Sequence, residues 1–493
     1  MKAIIVHGHF YQPPRENPWT GEIDAQPSAA PFHDWNERVH AESYRPNSLA
    51  NIITPEGERT VSNYERMSFD VGPTLFQWLE KVHPKTYNRI LEADRMSIRR
   101  LGHGNAMAQG YHHAILPLSS GRDVRTEVRW GLADFRVRFG RSAEGMWLPE
   151  TAANNRVLDV LIEEGVAFTV LAPWQAARWR APGGSWTDVS RAGIDTAVAY
   201  RYLHPDGSGR SLALFFYDAD IARAIAFEQA TSSAERYVGL FERRLAGEQP
   251  MVNAATDGET YGHHHTFGDI GLAYALFVEA GRRGIETTNY ATWLEQHPPR
   301  CEVELGRGEG TSWSCAHGVG RWQRDCGCHT GGEEGWNQAW REPLRAALEI
   351  VKAAADEAFE RVGGELLNDP WTARDGYVEV VVGAMSVDAF LSLVANRPLD
   401  DAARRRAEAL LEMQCNALAM FTSCAWFFSD ISGIETVQIL RYAARTLELL
   451  KDLGARVPMR EFLAELEHAK SNEPTEGTGA DIFQSLPRRA EAS

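Results

Sequence analysis

The chain has 493 residues, 44% hydrophobic and 24% charged, which excludes disorder as the main state and leaves room for about two to three domains or one large barrel with attachments. With 51 Lys and Arg against 67 Asp and Glu the net charge is −16, so a phosphate backbone is a poor partner and no nucleic acid is expected. No apolar run reaches the ~18 residues of a membrane span, the start Met1-Lys2-Ala3-Ile4-Ile5-Val6 is too short for a signal core, and 6 Cys form no disulfide framework; a cytoplasmic protein with no membrane partner is expected.

Lys2 to Val6 is a short continuous apolar run, the pattern of a strand buried on both faces. A second such run, Ala143 to Pro149, centres on Met146, Trp147 and Leu148. Val157, Val160, Leu161 and Glu164 then recur at helical spacing, Gly165 stands where a C-cap is expected, and Ala167 to Leu171 is the next strand, ended by Pro173. This βαβ unit predicts a parallel sheet with helical crossovers. Ser211 to Tyr217 and Met251 to Thr256 read as further strands. The character changes near Glu295-Gln296-His297-Pro298-Pro299, after which a Gly-, Cys- and Trp-rich stretch runs to Trp340. Beyond it the chain turns helical, with Leu410, Met413, Ala417 and Met420 on one stripe and Val437, Leu440, Ala444 and Leu447 on the next. The expected division is a barrel-like domain over 1–298, a bridging segment over 299–340, a helical domain over 341–470 and a flexible tail over 471–493.

Three polar clusters each follow a predicted parallel strand: His7-Gly8-His9, Glu150 after Trp147-Leu148-Pro149, and Asp257-Gly258-Glu259. In an α/β barrel the C-terminal strand ends converge on one face, so residues far apart in sequence can meet there. Each cluster also has a plain reading: Glu150 as a helix cap, Asp257-Gly258 as a turn, His263-His264-His265 as a polar loop. His7 and His9 alternate along their strand, and only one of the pair is expected to point with its strand neighbours. Two carboxylates on one rim suit glycoside chemistry, in which one carboxyl protonates the leaving oxygen while the other meets the oxocarbenium-like carbon. The 15 Trp serve either a large core or stacking on sugars.

The motifs go further. His7-Gly8-His9-Phe10-Tyr11-Gln12-Pro13-Pro14, Trp147-Leu148-Pro149-Glu150, Thr256-Asp257-Gly258-Glu259-Thr260-Tyr261-Gly262-His263 and Ser423-Cys424-Ala425-Trp426-Phe427-Phe428-Ser429-Asp430 together resemble glycoside hydrolase family 57, over most of the chain. The resemblance implies an incomplete (β/α)7 barrel followed by a C-terminal α-helical bundle. It also implies retaining cleavage or transfer at an α-glucan bond, without a catalytic metal. Glu150 would then be the nucleophile and Asp257 the acid/base. His7, His9, Gln12, Glu259 and His263 would bind the carbohydrate substrate, and Trp147 and Trp426 would act as stacking platforms. One departure is visible: where the family often reads Gly-Asn-Val-Glu-Val-Thr, Gly104-Asn105-Ala106-Met107-Ala108-Gln109 carries Met107 in place of the Glu.

Cys315, His317, Cys326, Cys328 and His329 would satisfy a tetrahedral zinc by ligand count, but Cys-x-Cys is tighter than the usual Cys-x2–4-Cys. The favoured expectation is therefore no cofactor and no metal, with the segment read as a Gly-rich cap. A competing enzyme reading is a metal-dependent carbohydrate deacetylase or mannosidase-like hydrolase, which needs His7 or His9, Asp257 and a His from 263–265 on one ion. A third is a non-catalytic glycan-binding protein.

Overall fold

Seven short runs become parallel strands: β1 (Ala3–Phe10), β2 (Ser68–Val71), β3 (Ala106–Gln109), β4 (Met146–Trp147), β5 (Phe168–Leu171), β6 (Ser211–Phe216) and β7 (Met251–Asp257). They are seen in a computed structural model that describes residues 2–54, 57–191, 193–247, 249–306 and 308–486. The chain divides into two compact units, one built from Met1–Gln12, Ala25–Gly110 and Arg138–Trp313, the other from Pro13–Asp24, Tyr111–Val137 and Ser314–Ser493. The second unit thus takes two early segments, 13–24 and 111–137, that composition alone assigns to the barrel.

The first unit is an incomplete (β/α)7 barrel. Its strands run β7-β1-β2-β3-β4 by parallel pairing, the Gly145–Phe168 bridge continues to β5, and β5 pairs with β6. Among the described residues no ladder joins β6 to β7. The seam is bridged instead by Asp218 N–H donating to Asn253 O (2.8 Å) and by the Asn253 carboxamide donating to Phe216 O (3.0 Å). On the edge away from β5, β6 takes Tyr200–Leu203 as an antiparallel neighbour. Asn154 caps helix Asn155–Glu163 by accepting from Val157 N, and Asp218 caps Ala219–Phe227 in the same way.

Inside the barrel a two-residue repeat sorts side chains. Ala3, Ile5, Met107, Trp147, Phe168, Val170, Ala213, Phe215, Met251 and Ala255 pack together as its core. Continuing those rows by two residues toward the strand ends reaches His7 and His9, Gln109, Tyr217 and Asp257. β1 runs on past Val6 to Phe10 because it is paired on both sides there, with β7 and with β2. The run Ala143 to Pro149, by contrast, supplies only the two strand residues Met146 and Trp147, since Pro149 has no N–H for a ladder.

The second unit is helical, with Arg341–Leu366, Asp401–Ala419 and Ile434–Asp452 as its longest described helices after residue 340. Leu410, Met413, Ala417 and Met420 are all buried, as their spacing requires. Residues 471–486 do not form the expected flexible tail. Asn472 N donates to Asp430, Thr478 and Asp481 form a capping box, and helix Gly479–Ser485 buries Ile482 and Phe483. The remainder of the expected tail, 487–493, lies outside the described residues. No described helix is long and apolar enough to cross a membrane.

Candidate active site

The mouth of the barrel is organised by a carboxylate that sequence reading did not single out. Asp70, at the end of β2, lies in register with His9 and is fully buried. Its Oδ1 meets His7 Nε2 at 2.9 Å and its Oδ2 meets His9 Nδ1 at 2.8 Å. Both imidazoles therefore project from the same face, which corrects the expectation that only one would: residues two apart on a strand share a side.

The two rings differ in charge. Burial lowers His7 and outweighs its hydrogen bond to Asp70, which keeps this ring neutral. Burial also opposes the charged form of His9, but the Asp70 carboxylate, its hydrogen bond, and Asp257 and Glu259 together lift His9 to about 9. Asp70 is held below the usual carboxylate range, because His9 and both hydrogen bonds overcome burial. A buried imidazolium–carboxylate pair is costly to break, so Asp70→Ala is expected to destabilise the protein by about 3–5 kcal/mol, read by urea unfolding at pH 7. The contribution of His9 should be fully present below its unfolded value of about 6.5 and be lost as pH rises through about 9. A loss under about 1 kcal/mol in the variant would contradict the pairing.

Trp147 lies beneath the histidines, stacked on His7 (centroids 4.6 Å apart) and His9 (5.3 Å), with Trp313 edge-on at 5.2 Å. It is 0% exposed and offers no open face to a sugar. Trp426, also 0% exposed, donates from Nε1 to Arg341 O within the helical unit. Neither ring is the stacking platform expected, because each is needed as core. Trp174, by contrast, is 49% exposed, packs edge-on to Tyr217 and donates from Nε1 to Ser312 O.

Glu150 follows β4 and Pro149 on a turn in which its φ is 58° and that of Thr151 is 49°, a left-handed backbone that non-glycine residues adopt at a cost. The turn is held by Thr151 N to Leu148 O, by Ala152 N to Pro149 O and by the antiparallel bridge of Ala153 with Thr311. That bridge delivers Trp313, whose backbone N donates to Glu150 O at 3.0 Å and whose indole N–H donates to Glu150 Oε2 at 2.9 Å. The carboxylate is half-buried and fixed in direction.

Asp257 ends β7, in register with His9. Its side chain reaches solvent, although protein crowds around the carboxyl. That crowding is the largest influence on it, His9 pulls the other way, and the Glu259, Glu150 and Asp70 carboxylates add to the rise, leaving the Asp257 carboxyl pushed up to about 7. Tyr217 is raised by burial and then by Asp257.

Glu259 is buried: its Oε1 accepts from Tyr11 N at 3.1 Å and from the Tyr44 hydroxyl at 2.5 Å, and Gln12 hydrogen-bonds the same hydroxyl. His263 is engaged through Nδ1 by Glu42. Among the described residues no grouping of three or more metal-ligand atoms includes Asp257, His7, His9 or any His from 263–265, so the ligand set of the deacetylase-like reading is not assembled. Met107 packs in the barrel core against Ser68 and Trp147. Two residues on, buried Gln109 has neither carboxamide atom paired with protein, and Trp147 Nε1, on the strand beside it, is likewise unpaired. Unsatisfied buried polar atoms of this kind mark places where water or a ligand completes the bonding.

Comparison with known proteins gives a family and a fold. Residues 3–306 match glycosyl hydrolase family 57, and residues 336–492 match a domain of unknown function, DUF3536. A curated protein of Dictyoglomus thermophilum, alpha-amylase 1, is 25% identical over 136 residues, which is 27% of this chain; the chain spans only 18% of the length of that relative. Among solved structures, an exo-type maltose-forming amylase from Pyrococcus sp. ST04 superposes with a TM-score of 0.69 at 16% identity, covering 98% of this chain and 88% of that one. A branching enzyme from Pyrococcus horikoshii gives 0.55 at 15% identity, covering 99% and 98%. A 4-alpha-glucanotransferase from Thermococcus litoralis gives 0.54 at 17% identity, covering 92% and 60%. At these identities the likeness is one of fold.

Proposed function

This chain belongs to glycosyl hydrolase family 57, and we propose that it cleaves or transfers α-glucan chains with retention of anomeric configuration, using Glu150 as nucleophile and Asp257 as acid/base. The observation that carries this reading is the pair of unlike carboxyls that follow two separate strands of the barrel, β4 and β7, and still influence one another. Glu150 is directed by Trp313, while Asp257 keeps its proton to about pH 7, in part because Glu150 is charged nearby. A cytoplasmic storage-type α-glucan is the substrate this reading names; an amylase, a branching enzyme and a 4-alpha-glucanotransferase among the structural neighbours support the α-glucan part of it.

In the first step a Glu150 oxygen attacks the anomeric carbon as the bond to the leaving sugar breaks, and Asp257 gives its proton to the departing oxygen. Esterification removes the Glu150 charge, and with it one of the influences that hold the proton on Asp257. Asp257 is then better suited to take a proton from water, or from a sugar hydroxyl, as that oxygen displaces Glu150. His9, charged near both Asp257 and Glu259, limits the repulsion among the acids. Trp174 supplies the exposed aromatic face at this rim.

Proton NMR of maltooligosaccharide digests provides the test. The first product should carry the α-anomer, with the β-form growing in only by mutarotation. Initial release of the β-anomer would overturn the double displacement. Binding of the oligosaccharide without any product would favour a glycan-binding protein.

A further inference from the structure

The helical unit gathers a second cluster of reactive side chains that the carboxylate chemistry does not use. Cys315 and His317 precede a short 3-10 turn at Gly320–Trp322, and Cys326 and Cys328 follow it. One ligand atom from each of these four residues lies within 4.8 Å of all the others. We propose that Cys315, His317, Cys326 and Cys328 bind one structural Zn²⁺ in a closed tetrahedral site.

The distances match those of a metal centre better than those of loose thiols. With Zn–S near ~2.3 Å and Zn–N near ~2.0–2.1 Å, the edges of a regular tetrahedron are about 3.8 Å between sulfurs and about 3.5 Å between sulfur and nitrogen. Cys315 Sγ and Cys326 Sγ are 3.9 Å apart, and Cys328 Sγ and His317 Nδ1 are 3.5 Å apart. A disulfide would need sulfurs about 2.05 Å apart. Backbone N–H groups of His317 and Arg321 point at the Cys315 sulfur, and that of Ala316 points at the Cys328 sulfur, the bonding that stabilises thiolate ligands. Buried Arg341 donates to Cys328 O at 2.7 Å and Arg321 to Thr330 and Phe427 O, each at 3.0 Å. These bonds tie the loop down on both sides of the cluster.

Sequence spacing argued against zinc because Cys-x-Cys is short. Gly327, with φ of 77°, lets the chain turn between the two thiols so that both face one point. Three soft thiolates and an imidazole select zinc among common divalent ions, and four protein ligands leave no open position, so the ion holds structure and does no chemistry. The region it holds needs such a clamp: from Ser314 to Trp340 the 3-10 turn at Gly320–Trp322 is the one helical or strand element among the described residues.

The experiment uses the full chain purified without a metal-binding tag and kept reduced. Elemental analysis should find one zinc per chain, released in step with mercurial titration of the thiols. Exchange with Co²⁺ should give the intense visible bands of a tetrahedral thiolate site. Cys326→Ser with Cys328→Ser should abolish the stoichiometric metal, and Cys301→Ser, at a thiol outside the cluster, should retain it. Where the double variant fails to fold, the Co²⁺ spectrum of the parent chain decides. A parent chain that holds no zinc and gives no thiolate spectrum with Co²⁺, or a double variant that keeps its metal, overturns the proposal.

Discussion

Glu150→Gln is expected to lower turnover of α-1,4-glucan by on the order of 10⁴-fold or more, the scale on which removal of a covalent nucleophile acts, with the fold intact by circular dichroism. The size follows from what Glu150 is asked to do. No described group other than this carboxylate combines the end of a barrel strand, a strained turn and a hydrogen bond that fixes one oxygen, here from Trp313 at 2.9 Å. Glutamine preserves the volume and removes the charge. Glu150→Ala should in turn be partly restored by azide on α-glucosyl fluoride, because the small anion enters the space the carboxylate leaves. The product should be the β-glucosyl azide, formed by a single displacement. Activity within about tenfold of wild type, a change of only about 1.4 kcal/mol in barrier, would remove Glu150 from the reaction.

Asp257→Asn is expected to cost 10²- to 10⁴-fold, roughly the range for loss of a general acid, and to cost less on substrates whose leaving group needs no proton. Its pH dependence is the sharper readout. The acid works only while protonated, and its carboxyl is held at about 7. Wild-type kcat/KM should therefore fall as pH rises through about 7, and the variant should lose that limb. The same raised value opposes folding once the proton leaves. The penalty is absent below the unfolded value of about 3.9, grows between there and about 7, and is fully present above. Asp257→Asn should thus raise the melting temperature at pH 8 and leave it nearly unchanged at pH 4. An unchanged alkaline limb would contradict the assignment.

How much of this was legible from sequence depends on how local each signal is. Strand β7, the helix that ends before Gly165 and the buried stripe at Leu410 to Met420 are written in consecutive residues, so periodicity and capping chemistry suffice to find them. The proposed pair, Glu150 and Asp257, is legible because each acid closes an apolar run. Asp70 is not: one Asp at the end of a four-residue strand says nothing until β1 is known to lie beside it in register with His9. Trp313, 163 positions from Glu150, is invisible for the same reason. The shared face of His7 and His9 is legible too, since the row Ala3, Ile5, His7, His9 already states the period. Trp147 and Trp426 mislead because an aromatic next to a catalytic motif can equally be the core that supports it. The helix at Gly479–Ser485 hides in a polar stretch, although Thr478 and Asp481 spell its capping box. The thiol cluster shows the limit of spacing rules, which describe common loops and not what a left-handed glycine allows.

The central claim is that a covalent bond forms between Glu150 and the sugar. Incubation with 5-fluoro-α-glucosyl fluoride, followed by peptide mapping and mass spectrometry, tests it most directly. The account predicts a single glycosylated peptide with the modification on Glu150, and none in Glu150→Gln. A stable adduct on any other side chain, Asp257 included, would contradict it.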